Sequence, residues 1–137
     1  MKKIFILLLF TTVCFMGFAQ TQTQPQAQPA KNGAEIKFES LTFDYGTVKV
    51  GEVKVGTYTF TNTGNKPLIL DEVKTSCDCT TIEFPKAPIM PGKTGVIKAT
   101  YTAKEVGQIS KWITVLSNGV SNRVVLKTKG NVVATEK

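Results

Sequence analysis

Between Glu35 and Gly130 apolar residues recur at every second position, and clusters of Gly, Pro, Asn and Asp interrupt the alternation. A period of two sends successive side chains to opposite faces of a sheet, which a helix cannot satisfy. No segment carries a helical period of useful length. The interruptions fall at roughly the 8–12-residue spacing of sandwich folds. The pattern therefore predicts an all-β chain, an immunoglobulin-like β-sandwich of about seven antiparallel strands.

Taken in order, Ile36, Phe38 and Ser40 alternate with Glu35, Lys37 and Glu39 as in a half-buried edge strand. Phe43-Asp44-Tyr45-Gly46 follows, then Val48 and Val50 before a turn at Gly51-Glu52. In the next strand the apolar parity changes from Val53 and Val55 to Tyr58 and Phe60, which predicts a β-bulge near Gly56. Asn62 to Pro67 is dense in turn formers. Leu68 to Val73 is apolar on both parities and reads as a central strand. Pro85, Pro88 and Pro91 break the chain before Ile97, Ala99 and Tyr101 share one face.

Gln108 to Leu116 is a long strand, and Asn118-Gly119 are the residues a two-residue type I′ hairpin favours. That loop would set Ser117 opposite Val120, Ile113 opposite Val124, Val115 opposite Asn122 and Ile109 opposite Thr128. It would put Trp112 opposite Val125 on the outer face, among Ser110, Thr114, Arg123 and Lys127. Lys111 would fall on the core side opposite Leu126, so that it must snorkel to the sheet margin or a bulge must intervene. The expected core is Phe43, Phe60, Leu68, Ile97, Tyr101, Ile113, Val115, Val124 and Leu126.

The N-terminus sets the expected compartment. Lys2-Lys3 precede an apolar run from Ile4 to Phe18, with small residues Gly17 and Ala19 before Gln20. This is the pattern of a secretory signal peptide over residues 1–19, cleaved after Ala19. The run is too short for a membrane span, so no transmembrane segment is expected after cleavage. Cys14 follows a bulky Val13 and is read as part of the discarded apolar run. Residues 20–34, rich in Gln, Thr and Pro, read as a disordered spacer. The domain is then expected over 35–133 with a tail at 134–137. The location is periplasmic or secreted.

The chain has no histidine, which removes Ser–His and Cys–His catalysis and every His-containing metal site. The formal charge of +7 is spread over many strand positions without a run, so nucleic acid is not an expected partner. No nucleophile has a recognisable base. Asp44 and Glu52 read as turn residues rather than a catalytic pair.

Reactive side chains meet only in Thr75-Ser76-Cys77-Asp78-Cys79-Thr80. In an extended strand Cβ atoms at i and i+2 lie roughly 6.5–7 Å apart. A disulfide needs about 3.5–4.5 Å, and two zinc–sulfur bonds of about 2.3 Å each do not span the gap. Shared chemistry therefore requires a kink, which Asp78 tolerates. Three readings stand. Cys77 and Cys79 are structural, or they form a labile redox disulfide, or they bind a soft metal such as Cu(I) with Met90 as third ligand. Trp112, Arg123 and Lys127 are candidate partner-binding residues, with cross-strand packing as the plain alternative.

Several segments together resemble one family. They are Phe43-Asp44-Tyr45-Gly46-Thr47-Val48 with Gly51-Glu52, Phe60-Thr61-Asn62-Thr63-Gly64 with Pro67-Leu68, Ser76-Cys77-Asp78-Cys79-Thr80, Pro91-Gly92 and Ser117-Asn118. In this order they resemble the bacterial DUF1573 domain, from about Leu41 to Val132. The resemblance implies a relative of the Hydin-type and major-sperm-protein-type immunoglobulin folds, exported in Bacteroidota and similar bacteria. The family's motif commonly reads Cys-Gly-Cys, and Asp78 stands in place of the glycine. The family carries no established activity. The expectation is an exported, non-enzymatic binding or assembly module with a protein or cell-envelope partner and no cofactor. The competing expectation is a periplasmic thiol-redox or copper protein acting through Cys77 and Cys79.

Overall fold

The structure is a computed structural model that describes residues 32–135. The leader, Cys14 and all of the spacer before Asn32 lie outside the described residues. Among the described residues eight strands form two sheets of four. They are β1 (Ile36–Phe38), β2 (Thr42–Lys49), β3 (Val53–Asn62), β4 (Leu70–Thr75), β5 (Thr80–Glu83), β6 (Thr94–Thr102), β7 (Gly107–Ser117) and β8 (Arg123–Val133). One sheet has the order β1-β3-β6-β5 and the other β2-β8-β7-β4. The all-β, two-layer expectation holds.

The strand count and one pairing differ from the expectation. After β1 the chain leaves the edge of the first sheet and joins the edge of the second as β2. The switch is made at Ser40, whose hydroxyl donates to the Thr42 carbonyl and accepts the Thr42 N–H. The chain does not reverse there, so β2 runs parallel to β8, with Thr42 opposite Lys127 and Val48 opposite Val132. A later sheet switch lies between β4 and β5, at the two cysteines. β4 is consequently an edge strand and not a central one. Its both-parity apolar start comes from Leu68 and Leu70, which are buried on one parity, and Ile69, which is exposed on the other. A bulge between Leu70 and Glu72 then shifts the pairing.

The bulge expected near Gly56 is absent: β3 pairs with β6 in unbroken register from Val53–Thr102 to Thr61–Thr94. The parity change has another cause. Val53 and Val55 point outward, 54 % and 53 % exposed, while Gly56, Tyr58 and Phe60 face the core. Gly56 is an inward position where a Cβ would sit 2.8 Å from Phe43 Cδ1 and 3.0 Å from the Tyr45 hydroxyl oxygen. Its missing side chain is the space those rings occupy.

The last hairpin also departs from the expected register. Ile113 pairs with Leu126, Trp112 with Lys127, Val115 with Val124 and Lys111 with Thr128. The loop is therefore two residues longer at its base, closed by the Ser117 N–H donating to Asn122 O. Gly119 has no positive φ, so Asn118-Gly119 is not a type I′ turn. Asn118 is engaged elsewhere: its side chain accepts the Ile69 N–H at 2.8 Å and donates to Pro67 O at 3.1 Å. A slip of two preserves parity, so each expected face is still correct.

Phe60, Leu68, Ile97, Ile113 and Leu126 are fully buried at the centre of the main core. Phe43 and Val124 are only partly buried and pack against it. Tyr101 belongs to a second cluster with Tyr45, Val48, Ala103, Ile109 and Val132, which Cys79 also touches. Two phenols tie the sheets together. Tyr45 donates to Ala99 O and Tyr58 donates to Lys127 O, each at 2.8 Å. The packed chain begins before Glu35: Ala34 is buried, and its carbonyl accepts the Val120 N–H. Glu35 is itself buried, against the alternation, because its carboxylate accepts both the N–H and the hydroxyl of Ser121.

Candidate functional site

Ser76 to Cys79 form the turn that carries the chain from β4 to β5. Cys77 and Cys79 are joined in a disulfide, with Cα atoms 5.3 Å apart. An extended strand would hold them at roughly 6.5–7 Å, so the turn supplies the contraction that bridging needs. Asp78 does not adopt a positive φ, so the turn closes without a left-handed residue and tolerates Asp where Gly is common.

Hydrogen bonds pin both ends of the turn. Ser76 N–H donates to Trp112 O, and Trp112 N–H donates to Ser76 Oγ, both at 3.0 Å. Thr102 N–H donates to Cys79 O at 2.9 Å. The buried Thr80 hydroxyl lies 3.6 Å from Cys77 Sγ and 3.9 Å from Cys79 Sγ. The chain-entropy model credits a bridge over so short a loop with only roughly 1.5 kcal/mol, against about 3 for a fifteen-residue loop. Cys79 forms one wall of a cleft of about 300 Å3 with Tyr101, Lys104, Glu105, Val106, Gly107, Gln108 and Lys111. Lys111 thus reaches an open cleft, which relieves its core-side parity. Partial burial raises the Tyr101 phenol above its usual range.

Trp112 follows Lys111 on β7 and projects from the opposite face of the sheet. Its indole is 48 % exposed, and the Lys127 ammonium lies 5.1 Å from the ring centroid. That contact follows from direct cross-strand pairing of the two residues. Val125 is also exposed on this face. Lys129 is paired with Asp44 at 3.3 Å, and Lys74 with Glu72 at 3.0 Å. Around Trp112 the outer surface of β7 and β8 therefore presents an aromatic ring, a valine and the cation Lys127, with exposed Arg123 further along β8.

The family profile of DUF1573, described as a protein of unknown function, matches residues 36–132. The chain belongs to the DUF1573 family. A search of curated proteins finds no match. Among solved structures, the DUF1573 domain is similar to a protein of unknown function from Porphyromonas gingivalis W83, with TM-score 0.65 and 20 % identity. That likeness covers 77 % of this chain and 50 % of the other, so this chain spans half the length of that protein. The ASH/PapD-like domain 7 of human CEP192 is similar at TM-score 0.65 and 8 % identity, over 86 % of this chain and 97 % of that one. The secreted serine protease VesC from Vibrio cholerae is similar at TM-score 0.54 and 16 % identity, over 78 % of this chain and 24 % of that one. At these identities the shared property is the fold, a PapD-like immunoglobulin-type sandwich.

Within the DUF1573 domain the sequence-derived candidates separate into two groups. Cys77, Cys79, Trp112 and Lys127 gather beside the middle of β7. Met90 does not join them. The Lys93 N–H donates to Met90 O beside the start of β6, whereas Cys79 binds Thr102 at its end. Eight residues of strand, about 26 Å, separate the two ends. The Cys77–Cys79–Met90 metal set is therefore not assembled, because the Pro-rich loop carries Met90 to the far end of the sandwich. Arg123 lies on the face of Trp112 but pairs with Leu116, about 13 Å along β8 from Lys127. It does not flank the indole.

Asp44 and Glu52 act as turn residues. Asp44 accepts the Gly46 N–H at 2.8 Å and Glu52 the Lys49 N–H at 3.0 Å. These bonds, with Lys129 and Lys54 beside them, hold both carboxyls below their usual range. The Cys79 cleft was not evident from sequence because Lys104, Lys111 and Tyr101 come from separate strands and loops.

Proposed function

We propose that this DUF1573 domain is an exported, non-enzymatic binding or assembly module. It meets a protein or cell-envelope partner through the outer face of β7 and β8. The observation that carries this reading is the half-exposed Trp112 indole, set on the outer sheet face with Lys127 beside it. A large rigid aromatic gains contact area at low entropic cost, and Trp is among the residues that dominate interfaces. Lys127 is positioned to meet an anionic group on the same partner. Export is supported by the leader pattern at residues 1–19 and by the Cys77–Cys79 bridge, since disulfides persist in oxidising compartments.

The test is capture from a solubilised envelope extract with immobilised protein. The wild type and a Val53→Ser/Val55→Ser control on the other sheet are expected to retain the same partner, and Trp112→Ala to lose it. Equal retention by Trp112→Ala would refute this surface.

A further inference from the structure

We propose that the Cys77–Cys79 bridge is a thiol–disulfide exchange site, opened from the Lys104–Lys111 cleft by a dithiol reductant. The inference goes beyond the binding surface and does not depend on it. Three observations carry it. First, the bridge is not needed to hold its turn. The Ser76–Trp112 pair of hydrogen bonds fixes the side before the cysteines, and the Thr102–Cys79 bond fixes the side after them. Opening the S–S bond therefore leaves β4 docked on β7 and β5 docked on β6. Second, Cys79 lines a cleft whose charged walls are Lys104, Lys111 and Glu105, which leaves it net positive. That net charge favours the approach of an attacking thiolate and counters the carboxylate of the exposed Asp78. Third, the Thr80 hydroxyl sits within reach of both sulfurs, where it can donate to whichever one leaves as a thiolate.

The chemistry balances as a two-step exchange. One thiolate of the dithiol attacks Cys79 Sγ, the S–S electron pair passes to Cys77 Sγ, and Cys77 leaves as a thiolate bonded to Thr80. Cys77 then takes a proton from water. The second thiolate of the reductant attacks the sulfur already bonded to Cys79, expelling Cys79 as a thiolate that is protonated in turn. The dithiol becomes a disulfide, and two electrons and two protons have moved to the cysteine pair.

The test uses the purified protein under native conditions, with thiols counted by alkylation and intact mass. Dithiothreitol is expected to yield two alkylated cysteines while the thermal midpoint shifts by no more than a few degrees. Thiols that appear only in denaturant, or a sandwich that unfolds on reduction, would overturn the proposal. Direction of access has its own readout. Lys104→Gln/Lys111→Gln is expected to slow reduction by glutathione, which is anionic, several-fold, and not to slow reduction by cysteamine, which is cationic. Equal effects on both thiols would overturn attack through the cleft. If that double variant does not fold, Cys77→Ser serves instead. It leaves Cys79 alone on the cleft wall and, given glutathione disulfide, is expected to form the mixed disulfide, with release of one glutathione thiolate, faster than Cys79→Ser does. The reverse order would contradict the assignment.

Discussion

Asn62 is 0 % exposed, and its side chain meets four backbone groups. Its Oδ1 accepts the N–H groups of Gly64 at 3.0 Å and Glu35 at 3.3 Å. Its Nδ2 donates to Lys66 O and Ile89 O, each at 2.8 Å. One side chain thus gathers the start of the domain, the turn after β3 and the Pro-rich loop. Beside it, a Cβ on Gly64 would sit 2.6 Å from the Glu35 nitrogen, so only glycine lets the N-terminal segment pass. In the sequence Asn62 looks like an ordinary turn former, because nothing local says its partners are remote and buried. Asn62→Ala is expected to destabilise by roughly 2–4 kcal/mol in urea unfolding, since it strands buried donors and acceptors. Asn65→Ala, which removes one exposed bond to the Gly33 N–H, is expected to cost under about 1 kcal/mol. Equal costs would contradict the buried network.

At the scale of elements, period-two patterning assigned the inner and outer faces of β7 and β8 correctly, and the Asn118-Gly119 signal misassigned their pairing. The reason is physical: Asn118 binds Ile69 and Pro67, a tertiary demand that local turn preference does not include. The pairing is open to a cross-link. Thr114→Cys/Val125→Cys joins residues that face each other and is expected to form a disulfide on oxidation, while Thr114→Cys/Arg123→Cys is not. The opposite result would restore the two-residue loop. The same patterning failed at Val53 and Val55, where outward valines imitate a parity slip. Ile113→Ala is expected to cost roughly 2–5 kcal/mol, as for a large-to-small core change. Val53→Ala on the exposed face is expected to stay within about 0.5 kcal/mol. Comparable losses at the two sites would mean that Val53 is not a surface residue. Neither the parallel β2–β8 pair nor the edge position of β4 is written locally, because both follow from where the chain changes sheets.

Across the whole molecule the two sheets are held by the shared core and by the phenols of Tyr45 and Tyr58. Burial pushes Tyr45 up to about 12 and raises Tyr58 and Tyr101 in the same direction, so all three tyrosines of the chain titrate late. A phenol with a folded-state pKa above its unfolded value near 10 contributes stability that is complete below about pH 10. That stability is lost as pH rises through the folded-state value. Tyrosinate absorbance is expected to stay low at pH 10 and to rise together with unfolding above it. A simple titration centred at pH 10 with the fold intact would contradict the burial. The proximity of the cysteine pair was legible as a pattern, whereas the direct contact of Lys127 with Trp112 needed the strand pairing. Trp112 is the only tryptophan, so its emission reports that surface alone. The most direct measurement is acrylamide quenching of Trp112 as the captured envelope partner is titrated in. The account predicts that quenching falls towards that of a buried indole at saturation, and a partner that binds fully while quenching stays unchanged would contradict it.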